Sequence, residues 1–268
     1  MSMTESFKRG SQTLFLNPKK ISEECMLTPI KLGISSCLLG NPVRYDGGHS
    51  HDRFLTQTLG LFVTYVPVCP EVECGMPIPR EAVRLVGDPD TPRLVTQKTN
   101  VDKTRQMQDW MAVRLKELEQ ENLCGFIFRS KSPSSGLYRI RVYGDDGTIR
   151  KTGTGLFARA FTDRFPRIPV EEAGRLCDPG LRENFIERIF SLQRWRNLLD
   201  TNQTLGGLVA FHTHNKLLIL SHSQEIYRQM GRLVAQGKKQ ATDSLFDDYE
   251  QQLLKALGLK TTVKKNIN

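Results

Sequence analysis

The sequence has no long uninterrupted run of apolar residues. Hydrophobic side chains make up 38% of the 268 residues, and polar or charged residues interrupt every apolar stretch before the roughly 20 residues that a membrane-spanning helix requires. The first residues also lack the apolar core of a secretory signal peptide. We therefore expect a globular cytoplasmic protein of one or two domains, with no membrane partner.

Acidic residues are fewer than basic ones, with 29 Asp and Glu against 38 Lys and Arg. The net charge of +9 favours a polyanionic partner, because clustered cations attract phosphate over long distances. Many basic proteins bind no specific partner, so the charge points to a nucleic acid only if a second feature does the same.

Cysteine is present, but not in a pattern typical of disulfide frameworks or zinc fingers. The six cysteines are dispersed through a chain without an export signal, and neither a standard zinc spacing nor the ferredoxin cysteine run occurs. We interpret Cys124 and Cys177 as structural, and Cys25 as part of a disordered extension over residues 1–25. The other three cysteines are the candidates for metal or thiol chemistry.

The first two thirds of the chain alternate strand and helix patterns. Short β-branched and aromatic runs predict strands, two amphipathic stretches predict helices, and a Gly-Asp-Asp-Gly turn between alternating segments predicts a hairpin. This order favours an α/β domain with a mostly parallel sheet covered by helices. The proline-rich segment 74–92 is expected to be a surface loop. The predicted strands are 30–36, 62–68, 124–128 and 168–170, the helices are 102–120 and 156–165, and the hairpin joins 137–143 to 148–152.

After residue 178 the pattern becomes entirely helical, which predicts an all-α C-terminal domain. Helical periodicity covers 181–199, 205–235 and 245–257, and we place a domain change near residue 200. The predicted divisions are a domain at 26–178, a connecting helix at 179–200 and a helical domain at 201–268.

Side chains able to bind a metal or to react follow the predicted strands. Cys37 follows the first strand, Cys69 follows the second, and Cys74 comes five residues later. A Ser-Pro-Ser-Ser-Gly loop at 132–136 follows the third strand. Because the carboxyl ends of parallel strands meet at one edge of a sheet, these residues are expected to share a crevice suited to an iron–sulfur cluster or a zinc ion.

Four segments of this region resemble the signature of the TudS thiouracil desulfidase family. They occur in the family's order and span roughly residues 30–175. The resemblance implies a flavodoxin-like α/β domain that binds a 4Fe-4S cluster through three cysteines, and an enzyme that removes sulfur from a thiolated base without net electron transfer. The segments are Ile34-Ser35-Ser36-Cys37-Leu38-Leu39-Gly40, Arg44-Tyr45-Asp46-Gly47-Gly48, Val68-Cys69-Pro70-Glu71 and Ser132-Pro133-Ser134.

The resemblance implies Cys37 and Cys69 as two cluster ligands, but the third position departs from the family pattern. Members usually read Ser-Pro-Ser-Cys-Gly, whereas this chain has Ser135, and a hydroxyl is a poorer ligand for a soft iron–sulfur cluster than a thiolate. We expect Cys74 to replace the missing cysteine, because its glycine- and proline-rich loop could fold back toward the cluster. Cys124 ranks second, because it opens a predicted strand at the end away from the serine loop.

The same resemblance makes Glu71 the candidate proton acceptor for an attacking water, and Ser132 the candidate hydrogen-bond partner of the water or the base. The alternative is that Glu71 pairs with Arg80 in an ordinary salt bridge. The expected substrate-binding residues are Arg44, Tyr45, Asp46, Ser134 and Ser135, and the first three are equally compatible with a structural turn.

The C-terminal segment is similar to YbgA-like helical domains. Such domains continue for several more helices, so we expect a truncated version here. A TudS-like domain fused to a YbgA-like domain is the architecture of RudS-type desulfidases, which act on 4-thiouridine in tRNA. It implies tRNA as the partner and implies no protein partner. The similarity rests on Phe211-His212-Thr213-His214-Asn215-Lys216 and Ser221-His222-Ser223, followed by Tyr227 and Gly231-Arg232-Leu233.

The histidines leave metal alternatives open. His49 and His51 could join Cys69 and Cys74 in a mixed zinc site, which would give a colourless protein instead of a brown one. The histidines of the helical segment, near one helix face, are expected to contact phosphate or cap neighbouring helices. These are His212, His214 and His222.

A non-enzymatic interpretation also remains. Because the family's third cysteine is absent, the chain could be an iron–sulfur or zinc RNA-binding protein without turnover.

Overall fold

A parallel four-stranded sheet forms the centre of the first part of the chain. The computed structural model describes residues 30–144, 146–239 and 242–259, so the predicted extension at 1–25, with Cys25, lies outside the described residues. Strand β1 pairs in parallel with β2 and β5, and β5 pairs in parallel with β8, so all four strands end at one edge. The described strands are β1 (Ile30–Ser35), β2 (Val63–Val68), β3 (Val83–Val86), β4 (Arg93–Thr96), β5 (Gly125–Phe128), β6 (Ile140–Tyr143), β7 (Ile149–Gly153) and β8 (Val170–Glu172).

A second four-stranded sheet has the order β4-β3-β6-β7. Its β6–β7 hairpin confirms the hairpin predicted from alternation and the glycine-rich turn. The prediction that 74–92 is entirely loop is wrong, because Val83–Val86 forms β3 and pairs with both β4 and β6. The side chain of Leu85 is fully buried in this strand. This short strand lies between prolines, which are typical of loops and edge strands and therefore favoured a loop prediction.

Two helices cover one face of the parallel sheet. The helices α2 (Thr104–Gln120) and α3 (Leu156–Arg164) follow a one-turn helix, α1 (Pro70–Glu73). Successive side chains of a strand point to opposite faces, and Phe126 and Phe128 of β5 both point to this one, with ring centroids 4.2 Å apart. Phe161 of α3 packs on Phe126 at 4.7 Å. The resulting aromatic cluster fixes α3 against the sheet.

A third long helix, α4 (Pro179–Thr201), covers the opposite face. It begins where Asp178 accepts a hydrogen bond from the amide of Leu181 at 3.0 Å, with Pro179 in the first turn, a common start for a helix. Phe185 and Ile189 of α4 are buried against β1 and β5. Helices therefore cover both faces of the sheet, which confirms the predicted α/β class.

The C-terminal part is helical, as predicted. The helices α5 (Leu205–His222), α6 (Gln224–Gln236) and α7 (Thr242–Leu257) surround a separate core with Trp195 of α4 at its centre. Trp195 stacks on Tyr249 with centroids 5.2 Å apart. We call this assembly, from Leu192 onward, the helical region. None of the described helices is long and apolar enough to cross a membrane.

The helical region attaches at the amino-terminal edge of the parallel sheet. Cys124, which directly precedes β5, donates its thiol proton to Gln193 Oε1 at 2.9 Å. Arg167, which precedes β8, forms an ion pair with Asp247 at 2.7 Å, and Arg196 donates to the carbonyl of Leu123 at 2.9 Å. The carboxyl edge, where Cys37 and Cys69 lie, is therefore the opposite edge.

The packing predicts that Gly33 of β1 tolerates no side chain. A Cβ at Gly33 would meet the Phe126 ring at 2.1 Å, so Gly33→Ala is expected to lower the free energy of unfolding by about 1–3 kcal/mol, as overpacking does. Gly206→Ala is the control, since a Cβ there meets nothing closer than 3.8 Å and Ala is the better helix former. Urea unfolding measures both, and equal stability of the two variants would contradict the prediction.

Candidate active site

A large cavity opens at the carboxyl edge of the parallel sheet. Its volume is about 1650 Å³, and its walls come from the segments after β1, β2, β5 and β8 together with the second sheet. The amide of Arg129, after β5, donates to Ser35 Oγ at 2.9 Å and ties the ends of β5 and β1 together. The segments that follow these four strands therefore share one cavity wall.

Cys37 and Cys69 both line the cavity. Cys37 lies in a single 3₁₀ turn that begins directly after β1. Cys69 caps α1, whose first residue is Pro70, and its amide donates to Glu73 Oε1 at 2.7 Å. Burial raises the pKa of both thiols, that of Cys69 to about 12, and Arg129 opposes the effect at Cys37.

Glu71 lies beside these thiols at the end of a chain of serine hydroxyls. Its Oε1 accepts a hydrogen bond of 2.5 Å from Ser134 Oγ, and its Oε2 lies 3.7 Å from Cys69 Sγ. Ser134 Oγ is 3.0 Å from Ser132 Oγ. Glu71 and Ser132 both line the cavity, whereas Ser134 is fully buried and does not. Ser134 therefore positions the Glu71 carboxylate, and its predicted contact with substrate stays a prediction.

The alternative salt bridge between Glu71 and Arg80 does not form. Arg80 donates instead to the carbonyl of Val43 at 3.0 Å, and within the described part of the chain Glu71 has no ion-pair partner. One carboxylate oxygen is therefore held by a hydroxyl while the other faces a thiol.

Cys74 does not join Cys37 and Cys69 on the cavity wall. Its thiol donates to the carbonyl of Glu71 at 3.3 Å, within the turn that ends α1, and its side chain packs against the aromatic core beneath the sheet. Ser135 lines the cavity instead. The structure therefore does not place Cys74 on the cavity wall beside the other two thiols, because the turn that ends α1 holds its thiol at the Glu71 carbonyl.

Arg44 and Tyr45 line the cavity, but Asp46 does not. Asp46 holds Arg44 by two contacts, Oδ1 to Nε at 3.2 Å and Oδ2 to Nη2 at 3.0 Å. The hydrogen bond from Arg44 lowers the pKa of Asp46 to about 2. Asp46 thus orients Arg44, and its predicted contact with substrate stays a prediction.

The serine loop is held from two sides. The carbonyl of Ser134 accepts a bond from the amide of Phe157 at the start of α3 at 2.9 Å, and a Cβ at Gly155 would meet that carbonyl at 2.5 Å. On the other side, Glu172 Oε1 accepts bonds from the amides of Leu137 at 2.7 Å and Tyr138 at 3.1 Å. These contacts fix the loop that carries the hydroxyls.

The histidines do not assemble a metal site. His51 contacts Thr56, His49 contacts the His51 amide, and neither lines the cavity. Across the residues that the structure describes, no three His, Cys, Asp or Glu side chains group closely enough to hold a metal ion. In the helical region, His212 stacks on Tyr227 and His222 is buried against Leu259. Of the three helical histidines, only His214 is exposed.

Sequence reasoning missed the positive charge of the wall. Nine arginines and lysines line the cavity against two acidic residues, Glu71 and Glu172. Strand alternation could have predicted this charge, because it directs every second side chain away from the core. Ile140 and Val142 are buried, and they alternate with Arg139, Arg141 and Tyr143. The nine cationic residues are Arg44, Arg80, Arg84, Arg129, Lys131, Arg139, Arg141, Lys151 and Arg175.

Two family models match the chain. The model of the 2-thiouracil desulfurase family matches residues 32–173, more than half of the chain. A model described as a protein of unknown function, DUF1722, matches residues 216–268.

Two individual proteins are similar to parts of the chain. An uncharacterized protein YbgA of Escherichia coli (strain K12) is 32% identical over 82 residues, or 30% of this chain, and the chain spans about half of that protein, 48% of its length. A solved structure titled as the [4Fe-4S]-dependent thiouracil desulfidase TudS has 27% identity and a TM-score of 0.46, over 57% of this chain and 97% of that chain. Because this TM-score is below 0.5, the family model alone supports the family assignment.

The anchoring of the serine loop predicts that Glu172→Ala destabilises the protein. The change leaves the buried amide of Leu137 and the amide of Tyr138 without an acceptor, at a cost of about 1–3 kcal/mol for each. Glu172→Gln keeps an oxygen at the position of Oε1 and should lose much less. Urea unfolding of both variants measures the difference, and equal losses would show that the acceptor oxygen does not anchor the loop.

Proposed function

The chain belongs to the 2-thiouracil desulfurase family, and from that membership we propose that it removes the sulfur of 4-thiouridine in tRNA. Water attacks the thiocarbonyl carbon and the carbon–sulfur bond breaks. A carbonyl forms, and sulfur leaves as hydrogen sulfide. No electrons are gained or lost. The product is uridine.

The proposed cofactor is a [4Fe-4S] cluster. Cys37 and Cys69 would supply two thiolates, and Ser135 stands on the same wall at the position of the family's third cysteine. Thiolates are the preferred ligands of iron–sulfur clusters, and a serine oxygen is a weaker substitute. When bound, the cluster supplies a Lewis-acidic iron with affinity for the substrate sulfur.

Glu71 is the proposed proton acceptor. Ser134 holds Oε1 at 2.5 Å, which leaves Oε2 to take a proton from the water that attacks the carbon. The Ser132 hydroxyl, connected to Glu71 through Ser134, lines the cavity and can orient that water. This pairing of a carboxylate and a serine relay with two thiols in one cavity is the observation that carries the proposal.

The preference for tRNA is supported by charge. The cavity wall has nine cationic residues and two acidic ones, and the chain carries a net charge of +9. A free thiouracil carries no phosphate for these cations to bind, whereas a nucleotide within tRNA has a phosphate on either side.

A binding protein without turnover is the second candidate. It is favoured by one observation, the hydroxyl of Ser135 in place of a thiolate. Anaerobically reconstituted protein incubated with tRNA that contains 4-thiouridine separates the two. Loss of the near-ultraviolet band of the thio base indicates desulfuration, and binding with an unchanged band indicates the second candidate.

Replacement of the proton acceptor should abolish turnover. Glu71→Gln is expected to lower kcat about 100- to 10,000-fold, the usual contribution of a general base, with iron content unchanged. Glu121→Gln is the control, because Glu121 pairs with Lys31 at the amino-terminal edge of the sheet. Full turnover of Glu71→Gln with an intact cluster would exclude Glu71 as the base.

Replacement of the Ser135 oxygen by sulfur should strengthen binding of the cluster. Ser135→Cys is expected to raise the iron retained per chain and to slow cluster loss in air, because a thiolate replaces an oxygen. Cys74→Ala should leave both quantities unchanged, since Cys74 does not line the cavity. Iron analysis and visible absorbance report on both. If Cys74→Ala loses the cluster and Ser135→Cys retains no more iron than the wild type, Cys74 is the third ligand and this prediction is wrong.

A further inference from the structure

The second sheet presents a cationic outer face next to the site. In β6, Ile140 and Val142 are buried, so Arg141 and Tyr143 lie on the other side of the strand. Arg84 of the neighbouring β3 and Lys151 of β7 line the same cavity as these two residues. We call these four residues the outer face of the second sheet.

The charges on this face lack acidic partners. Throughout residues 30–144, 146–239 and 242–259, Arg84, Arg141 and Lys151 form no ion pair. Neighbouring cations repel one another, and a bound anion relieves that repulsion. Phosphates spaced along a nucleic-acid strand meet that requirement with several charges at once.

Two tyrosine rings accompany the cations, and one of them is exposed. Arg84 lies over the ring of Tyr143 at 5.2 Å, and Arg175 lies over the ring of Tyr138 at 4.6 Å. Tyr138 is 44% exposed at the cavity wall. Flat rings and guanidinium groups stack on unpaired bases, and this combination with cations is typical of surfaces that bind single-stranded RNA.

The position of the helical region strengthens the case for this face. The helical region attaches at the amino-terminal edge of the parallel sheet, through Gln193, Arg196 and Asp247. The six residues of β1 separate that edge from the cavity by roughly 20 Å. The second sheet, by contrast, lines the cavity itself, so it lies within direct reach of the neighbours of a nucleotide inserted there.

We propose that the outer face of the second sheet binds the RNA backbone beside the thiolated nucleotide. This inference rests on the proposed function, because it assigns a surface to the same substrate. Arg141 and Lys151 contact phosphates, and the tyrosines support unstacked neighbouring bases.

Binding of fluorescent, unmodified tRNA to the full chain tests the inference without turnover. The variant Arg141→Gln with Lys151→Gln removes both charges but keeps polar side chains, and it should weaken binding at least tenfold. It should also reduce the slope of log affinity against log salt by about 1.5, since each lost phosphate contact contributes about 0.7 to 0.9. Lys116→Gln with Lys255→Gln, both exposed and remote from the cavity, removes the same charge and should retain the wild-type slope.

The outcomes separate this inference from the proposed function. Wild-type affinity of the sheet variant overturns the inference, as does an equal loss on Lys216→Gln with Arg228→Gln in the helical region. If the sheet variant alone loses affinity while wild-type protein leaves every thiolated substrate intact, the surface stands and the proposed function fails. If wild-type protein desulfurates tRNA and the sheet variant binds tRNA normally, the function stands and the surface fails.

Discussion

Parallel pairing of β1 with both β2 and β5 is the constraint on which the site depends. Strands that run in the same direction must end at the same edge, so Cys37, Cys69 and the serine loop meet although they lie far apart in the sequence. The bond from the Arg129 amide to Ser35 Oγ fixes the register of two of these ends. Antiparallel pairing would have sent one of them to the opposite edge, among the residues that attach the helical region.

Within this frame, the chemistry depends on how buried polar groups are paired. Ser134 has no access to the cavity, yet its 2.5 Å bond to Glu71 decides which carboxylate oxygen faces the thiol of Cys69. A buried hydroxyl has to find a partner, and here its partner is the carboxylate. The same requirement holds the loop on its far side, where Glu172 accepts two amide bonds. The position of the Glu71 carboxylate and the stability of the loop therefore both depend on hydrogen bonds made by this one loop.

The sequence allowed the order of elements to be predicted, because strand and helix periodicities are local properties. It also predicted that Cys37, Cys69, Glu71 and Ser132 converge, since this follows from strand ends alone. The inward turn of Cys74 could not be predicted, because it depends on the backbone after α1 and on the core beneath it. The distinction between Ser134, which is buried, and Ser135, which lines the cavity, likewise requires side-chain directions within one loop.

The helix α4 has a mechanical consequence. Its 23 residues are continuous, with Phe185 and Ile189 in the core of the sheet and Trp195 in the core of the helical region. At 1.5 Å per residue it is a rod about 35 Å long that belongs to both bodies. Insertion of one residue between Ile189 and Trp195 would turn one body about 100° around the rod relative to the other. The number of residues between the two cores therefore sets how one part is rotated relative to the other. Adding or removing a single residue there would change that rotation.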